Sequence, residues 1–474
     1  MSRKRKEQPV VEDVLIEDVA AEGKALAHLE GKVLFVPFVA PGDVVDVKVI
    51  KSKKSFCEGR AVAIKKPSAK RVESLCPHFG VCGGCKWQMI DYSCQLESKQ
   101  RQVRDMLERI GEVDCGGMRD ICGSEKIFRY RNKLEYTFST RAWREDFQAG
   151  DGQPQAGALG FHIPGLFDKV LNIESCVLQG ELSDRIRLFV RDYAVAHGLD
   201  FYDIRNHTGF LRNLVIRNTD AGDWMVILVV AESREELLLP LLEALRDTFH
   251  QITSLHYIVN PKMNDSYTDL EPHLFAGLPY IEERMAKYGD DGFLRFRINP
   301  KSFYQTNSAQ AQRLYGFVAE FAGLKPSDTV YDLYTGTGTI AQFVASSCKK
   351  VVGIEYVKEA IDDAKINAAL NGIANAEFFT GDMAEVLNDE FVECHGTPDV
   401  VITDPPRAGM HEKVVKQLLA VAPRKIVYVS CNPATQARDL KLLSDKYRVA
   451  RIQPVDMFPH TQHVENVAEL VAKN

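Results

Sequence analysis

Between residues 11 and 67 the apolar positions come in short runs, at 14–16, 32–39, 44–50 and 59–64, and Pro41-Gly42-Asp43 separates two of them. Short runs bounded by turn residues predict strands, and a small five-stranded barrel accommodates them. Residues 95–110 switch to helical spacing, with Val103, Met106, Leu107 and Ile110 on one face and Gly111 as the stop. From 127 to 298 the two periods mix. Strand-like runs at 213–217, 225–230 and 256–260 surround a leucine-rich helix at 235–245, and an insertion at 150–160 reads as a mobile loop. From 329 onward strands and helices alternate: strands at 330–333, 350–355, 376–380, 400–403, 425–429 and 448–455, helices at 340–346, 358–371, 412–421 and 434–444. That alternation implies a doubly wound α/β sheet, so the fold class is multidomain α/β.

The chain has 474 residues, 45% of them hydrophobic and 26% charged, enough to bury more than one core. No apolar run approaches the roughly 20 residues of a membrane-spanning helix. The basic start, Arg3-Lys4-Arg5-Lys6, leads into no signal-peptide core, so cytoplasm is the expected compartment and no membrane partner is expected. Eleven cysteines in a reducing compartment point to metal or chemistry rather than disulfides. The net charge is −6, yet residues 48–71 hold nine Lys or Arg against one acid, Glu58. Nucleic-acid binding follows the local field rather than the sum, which makes the amino-terminal end a candidate RNA face.

Candidate chemistry gathers in the alternating region. Ser430-Cys431-Asn432-Pro433-Ala434-Thr435 follows an apolar run at 426–429, placing Cys431 at the end of a predicted strand. A thiol there is a candidate nucleophile, or else a short buried side chain closing a core strand; the motif alone leaves both open. The first turn of the sheet is Asp332-Leu333-Tyr334-Thr335-Gly336-Thr337-Gly338-Thr339, and Glu355 ends the second strand, where an acid can hold two ribose hydroxyls. A dinucleotide site wants a third glycine where this chain has Thr339-Ile340-Ala341, and Asp332 would repel a pyrophosphate but suit a cationic sulfonium. S-adenosylmethionine is therefore preferred to NAD. Asp404-Pro405-Pro406-Arg407 follows the fourth strand, its prolines stiffening a loop that can hold a flat base.

Joined by Phe303-Tyr304-Gln305-Thr306-Asn307 and by Asp456-Met457-Phe458-Pro459-His460-Thr461-Gln462-His463-Val464-Glu465, these segments resemble the RNA uracil-5-methyltransferases over the last third of the chain. Uracil C5 is too poor a nucleophile to take a methyl group directly. The resemblance implies that the Cys431 thiolate adds to C6, that C5 then takes the methyl group, and that Glu465 removes the C5 proton. It implies that Asp404 lies between cofactor and target base, and that Gln305, Tyr334, Thr339, Glu355 and Asp382, with Gly336 in the same turn, contact S-adenosylmethionine. Tyr334 and Thr339 stand where the family's better-known members have Phe and Asn, and Thr335 where Cys is frequent, which puts details of cofactor contact in doubt rather than the reaction.

Cys76, Cys82 and Cys85, spaced x5 and x2 among glycines, can converge on one centre and need a fourth ligand. Cys94 is nearest in sequence, whereas the resembling branch uses a distant cysteine that Cys176 matches, and there the site holds a [4Fe-4S] cluster; by spacing alone zinc competes. His460 and His463 are not read as a metal pair, because no third ligand is spaced for zinc. The expected organisation is an OB-like TRAM barrel (11–68), an α+β central domain with the iron–sulfur site (69–300) whose helix near 95–111 is a candidate to pack on the catalytic domain, and a Rossmann-like class I methyltransferase domain (301–474). Barrel and cysteines together resemble the bacterial enzymes of 23S ribosomal RNA, with a tRNA T-loop uridine as the alternative. The target base is expected to flip out of its stack, and the chain is expected to work as a monomer without an obligate protein partner. An amino-group methyltransferase acting through Asp404-Pro405-Pro406 and a non-catalytic RNA-binding protein are the competing classes.

Overall fold

The computed structural model describes residues 10–20, 22–143 and 157–473. Strands β1 (Val10–Leu15), β2 (Asp18–Val19), β3 (Ala25–Leu29), β4 (Lys32–Val36), β5 (Val44–Ser52) and β6 (Phe56–Lys66) form one sheet in the order β1-β5-β6-β4-β3-β2. It curls around a core that includes Ile16, Leu34, Val36, Val45 and Val47. The sequence predicted a five-stranded barrel and located four of its strands, β1, β4, β5 and β6; β2 is only two residues long, and the inward positions of β3 are the small Ala25 and Ala27, too weakly apolar to stand out. The run expected to continue to residue 39 stops at Val36, since Pro37 has no N–H to give and Phe38 takes φ 60°. Of the nine basic residues, Arg71 alone turns inward, onto the buried carboxylate of Asp43 at 2.6 Å; Arg3 to Lys6 lie outside the described residues.

Helix α1 (Tyr92–Arg109) precedes a second sheet built from β7 (Lys133–Ser139), β8 (Ala158–Ile163) and β9 (Leu166–Asn172), then α2 (Glu181–Ala196), β10 (Leu211–Asn218), β11 (Trp224–Val230), α3 (Glu235–Thr248), β12 (Ile252–Val259) and β13 (Pro272–Gly277). Its order is β13-β12-β11-β10-β7-β8-β9, and α2 and α3 cover it through Ile186, Val190, Leu238 and Leu241. Part of the expected mobile loop, 150–156, lies outside the described residues, but 158–160 belong to β8 and pair with β7. Gly160 suggested a loop; in fact a Cβ there would stand 2.0 Å from the Leu171 carbonyl, so glycine serves close strand approach.

The third sheet follows β14 (Ile281–Ala286), β15 (Phe293–Ile298) and α4 (Ser308–Ala322), and contains β16 (Thr329–Leu333), α5 (Thr339–Val344), β17 (Lys350–Glu355), α6 (Lys358–Leu370), β18 (Ala376–Thr380), α7 (Met383–Val386), α8 (Asp389–His395), β19 (Val400–Thr403), α9 (Glu412–Val421), β20 (Lys425–Ser430), α10 (Pro433–Leu443), β21 (Tyr447–Val455) and β22 (Glu465–Ala472). Strand order is β18-β17-β16-β19-β20-β22-β21, parallel up to β20. The unanticipated strand is β22, which runs antiparallel between β20 and β21. Its buried Glu465, Asn466 and Glu469 broke the apolar run that would have announced it. The β14–β15 ribbon shares a core with this sheet through Ile281, Leu294 and Phe296, and α1 joins the opposite face through Val103 and Leu107, packed with Tyr331, Leu333 and Leu440.

Residues 456–464 link β21 to β22 and carry no regular structure, so their backbone groups are satisfied by side chains from elsewhere. Asn307 and Gln310 of α4 donate to the carbonyls of Met457 and Asp456, Lys86 and Trp87 N–H groups both donate to the His460 carbonyl, and Gln95 Oε1 accepts from His460 N at 2.9 Å. Lys99 Nζ meets Asp456 Oδ1 at 2.6 Å, both side chains fully buried, and also donates to the Phe458 carbonyl. Burial pushes the Lys99 ammonium down while Asp456 holds it up. Removing one member of such a pair leaves the other charge buried without a partner. Lys99→Ala should therefore cost about 3–5 kcal/mol, read as a lower urea midpoint at unchanged m-value; a midpoint within error of the parent would refute this.

Candidate active site

Cys431 sits where β20 gives way to α10. Asn432 caps that helix by accepting from Ala434 N, Pro433 fills its first turn, and the Ser430 hydroxyl accepts from Asn432 N. Asn432 Nδ2 and Thr435 Oγ1 both donate to the Arg407 carbonyl, which ties the Asp404-Pro405-Pro406-Arg407 loop to the thiol's helix. Across the sheet Ser430 pairs with Asn466, and continuing that antiparallel register by one residue sets Cys431 opposite Glu465. In the His460–His463 stretch, His460 stacks on Phe128 at 4.4 Å and hydrogen-bonds Gln95, and burial pushes both imidazoles down to about 4.

Three carboxyl groups and a thiol share this space. Burial raises Glu465 well above the usual range, with Asp404 adding to the effect and Arg407 opposing it. Asp404 is pushed up to about 7 by burial and by Asp332, and Asp332 itself to about 7 by burial, against a hydrogen bond from Thr335. Burial, then the charges of Glu465 and Asp404, push the Cys431 thiol up to about 11, and Arg407 pulls the other way. The site is thus short of positive charge, and one oxygen of Asp332 has no hydrogen-bond partner although buried. A cationic ligand such as a sulfonium fits that deficit.

The cofactor-type turn runs from the end of β16 into α5. Tyr334 adopts φ 61°, a left-handed conformation unusual for a bulky side chain, followed by Gly336 and Gly338. Thr335 Oγ1 donates to Asp332 Oδ2 at 2.5 Å, so this substitution keeps a polar tie to the acid. The Glu355 carboxylate accepts from Gly336 N at 3.1 Å and Val357 N at 3.0 Å. Thr339 opens α5 and is buried; Asp382 caps α7, is exposed and acts electrostatically on Tyr334. Gln305 reaches Tyr315, a buried residue of α4 that feels Asp404, Asp332 and Glu465 at once. Tyr315 was not singled out from sequence, because within an amphipathic helix it reads as core. Arg407 was quoted only as the end of a motif, and its charge on Cys431 and Glu465 emerges from the fold.

The four cysteines come together elsewhere. Cys76, Cys85 and Cys176 pack around Tyr130, Val177 and Leu178, with Phe458 from the 456–464 loop. Burial pushes the Cys85 thiol up to about 12, with Cys176, Cys82 and Cys76 each adding to the rise, and it pushes Cys176 to about 11. Cys94, the other candidate, packs instead against the β1–β6 core. Among the described residues no group of three or more His, Cys, Asp or Glu is set to hold a metal ion. These thiols raise one another's pKa, so each disfavours the ionisation of its neighbours in the absence of positive charge.

Among the described residues no helix is long and apolar enough to cross a membrane. The family profile described as tRNA (Uracil-5-)-methyltransferase matches residues 273–473, and the TRAM domain profile matches residues 6–62. An uncharacterized RNA methyltransferase of Bacteroides thetaiotaomicron is 53% identical over 95% of this chain and 99% of its own, and one of Porphyromonas gingivalis is 53% identical over 96% and 99%. The crystal structure of Pyrococcus abyssi tRNA (uracil-54, C5)-methyltransferase in complex with S-adenosyl-L-homocysteine superposes with a TM-score of 0.74 at 31% identity, covering 97% of this chain and 100% of that one. With its amino-terminal TRAM domain, its S-adenosylmethionine-type fold and these relatives, the chain belongs to the RNA uracil-5-methyltransferase family.

Proposed function

We propose that this chain methylates C5 of a uridine in 23S ribosomal RNA through a covalent bond between Cys431 and C6 of the base. S-adenosylmethionine supplies the methyl group. The Cys431 thiol gives up its proton to solvent and its sulfur bonds to C6, which moves the C5–C6 π pair to C5; C5 takes the methyl group as the donor's methyl–sulfur bond breaks and leaves a neutral thioether; the C5 proton passes to the Glu465 carboxylate; and the freed pair restores the ring double bond as the bond from C6 to the Cys431 sulfur breaks. Asp404 orients the base beside the donor, and Gln305, Tyr334, Gly336, Thr339, Glu355 and Asp382 hold the cofactor. The observation that carries this reading is the antiparallel pairing of Ser430 with Asn466, which leaves Cys431 and Glu465 as the next residues on the two chains, together with the charge of Glu465 acting on the Cys431 thiol.

The 23S target rests on the resemblance of barrel and cysteines to the ribosomal RNA enzymes. A tRNA uridine is the second reading, favoured by the archaeal tRNA enzyme that matches this chain over its whole length, barrel included. The presence of a barrel therefore does not separate the two. We read Cys76, Cys82, Cys85 and Cys176 as ligands of a [4Fe-4S] cluster in preference to zinc, on their shared pocket. Anaerobic purification with iron, sulfide and zinc analysis decides, and stoichiometric zinc without iron would reject the cluster.

Cys431→Ala should lower methylation by about 10⁴-fold or more while still binding RNA, and Glu465→Gln should accumulate a methylated protein–RNA adduct, visible as a shifted band. A Glu465→Gln enzyme with normal turnover would show that another group takes the proton. Mapping 5-methyluridine in both RNA classes from a deletion strain and its complement tests the substrate; lost tRNA methylation with unchanged ribosomal RNA selects the second reading. In the free protein the raised thiol should alkylate slowly with iodoacetamide near neutral pH and faster as pH rises toward its pKa of about 11. At fixed pH, Arg407→Ala should slow the reaction several-fold, because it removes the positive charge that favours the thiolate. Equal rates in parent and variant, measured by mass spectrometry, would show that Arg407 does not act on the sulfur.

A further inference from the structure

A cavity of about 250 Å³ opens beside Cys431, and one of its walls comes from the amino-terminal barrel. Glu22, on the turn between β2 and β3, faces Gln102 and Met106 of α1 and Gln462 and His463 of the catalytic loop. The turn is held in place from two sides. Trp87 Nε1 donates to the Gly23 carbonyl at 3.0 Å while the Trp87 N–H donates to the His460 carbonyl, and Arg101 of α1 is ion-paired with Asp18 of β2. Gly23 has φ 84°, and a Cβ there would stand 3.2 Å from the Gln462 side chain, so the turn lies directly against the loop that leads to Glu465. The amide nitrogen of Gln102 is shielded from solvent and has no hydrogen-bond partner.

This cavity is not the seat of the methylated ring. That ring must present C6 to Cys431 and C5 to Glu465, yet neither Glu465 nor Asp404 lines the cavity, which extends from the thiol toward α1 and the barrel. Its walls offer the Glu22 carboxylate, the Gln102, Asn432 and Gln462 amides with donor and acceptor ends, the Arg407 guanidinium and the apolar surface of Met106. Those groups suit the hydrogen-bonding edge and flat face of a nucleobase.

Resting on the uridine-methylation reading above, we propose that this cavity seats the base adjoining the target uridine, and that Glu22 and Gln102 make it a specificity-determining subsite for an amino-bearing base. The carboxylate accepts from the exocyclic amino group and the Gln102 amide donates to the neighbouring ring nitrogen or carbonyl. Uracil, with carbonyl oxygens on both sides of its N–H, turns lone pairs toward Glu22 and is disfavoured. The barrel thereby takes part in choosing which uridine reaches Cys431.

The test uses the full-length protein and stem–loop transcripts carrying the mapped uridine, with each neighbour in turn replaced by an abasic nucleotide or by uridine. For the wild type, one of the two positions should lower kcat/KM about tenfold on either replacement. In Gln102→Ala, and separately in Glu22→Gln, kcat/KM on the unaltered transcript should already be reduced about as much, and the same replacement should cost no more than about twofold further. Equal losses in wild type and both variants, or no wild-type loss at either neighbour, would overturn the subsite while leaving uridine methylation intact. A wild-type protein that methylates no uridine in any transcript would instead overturn the reading beneath it, and the subsite with it. Glu22→Gln alters only an exposed charge, so a folding defect in Gln102→Ala would not obscure the result.

Discussion

The antiparallel seating of β22 between β20 and β21 is the constraint on which the rest of the site depends. A parallel sheet brings the carboxyl ends of its strands to one edge, and that edge already gathers Asp332, Glu355, Asp404 and Cys431. It cannot by itself bring a chain segment back toward Cys431 from the opposite direction. Because β22 starts at the edge where β20 ends, its first residue, Glu465, lands beside the thiol, and ladder hydrogen bonds rather than a flexible loop fix their separation. The loop before β22 is correspondingly expensive to hold. Its ties come from α1, α4 and the segment after the barrel, including the buried Lys99–Asp456 pair.

Those ties connect parts of the molecule that sequence keeps far apart. Trp87 bonds the barrel's β2–β3 turn through its indole and the His460 carbonyl through its backbone. Phe458 packs with the cysteine pocket, and Tyr130 beside it donates to the Pro459 carbonyl. The barrel, the cysteine cluster and the 456–464 loop are therefore joined by direct contacts.

Electrostatics set the same site in a waiting condition. A thiol pushed up by burial and by two carboxyls is held protonated at neutral pH, and burial, with neighbouring carboxyls adding to it, favours the protonated forms of Asp404 and Glu465. The positive charge of Arg407 acts on both Cys431 and Glu465 and favours their ionised forms. A cation beside Asp332 and Asp404 would favour their ionised forms, so ligand binding and the protonation state of the site are linked by charge alone.

Much of this was legible in the chain itself. Parallel strands with their helices were marked by uniformly apolar runs and intervening amphipathic segments, because a strand buried on both faces needs both. Cys431, Asp404, Asp332 and Glu355 were found because strand-end positions in such a sheet are predictable places for chemistry. The boundaries of β3 and β22 were lost where alanine or buried polar residues replace the apolar pattern, and Gly160 misled because glycine marks close approach as well as flexibility.

Local sequence thus determined which residues could react and which sheet would carry them, since those depend on side-chain chemistry and on short-range periodicity. Only the tertiary structure decided which groups meet. That Cys431 feels the charge of Glu465, that Tyr315 and Arg407 share their field, that Cys76, Cys85 and Cys176, up to a hundred residues apart, pack in one cluster, and that Glu22 of the barrel lines the thiol's cavity all depend on strand register and long-range packing. Contacts of that kind are summed over many distant residues, and no window of sequence contains them.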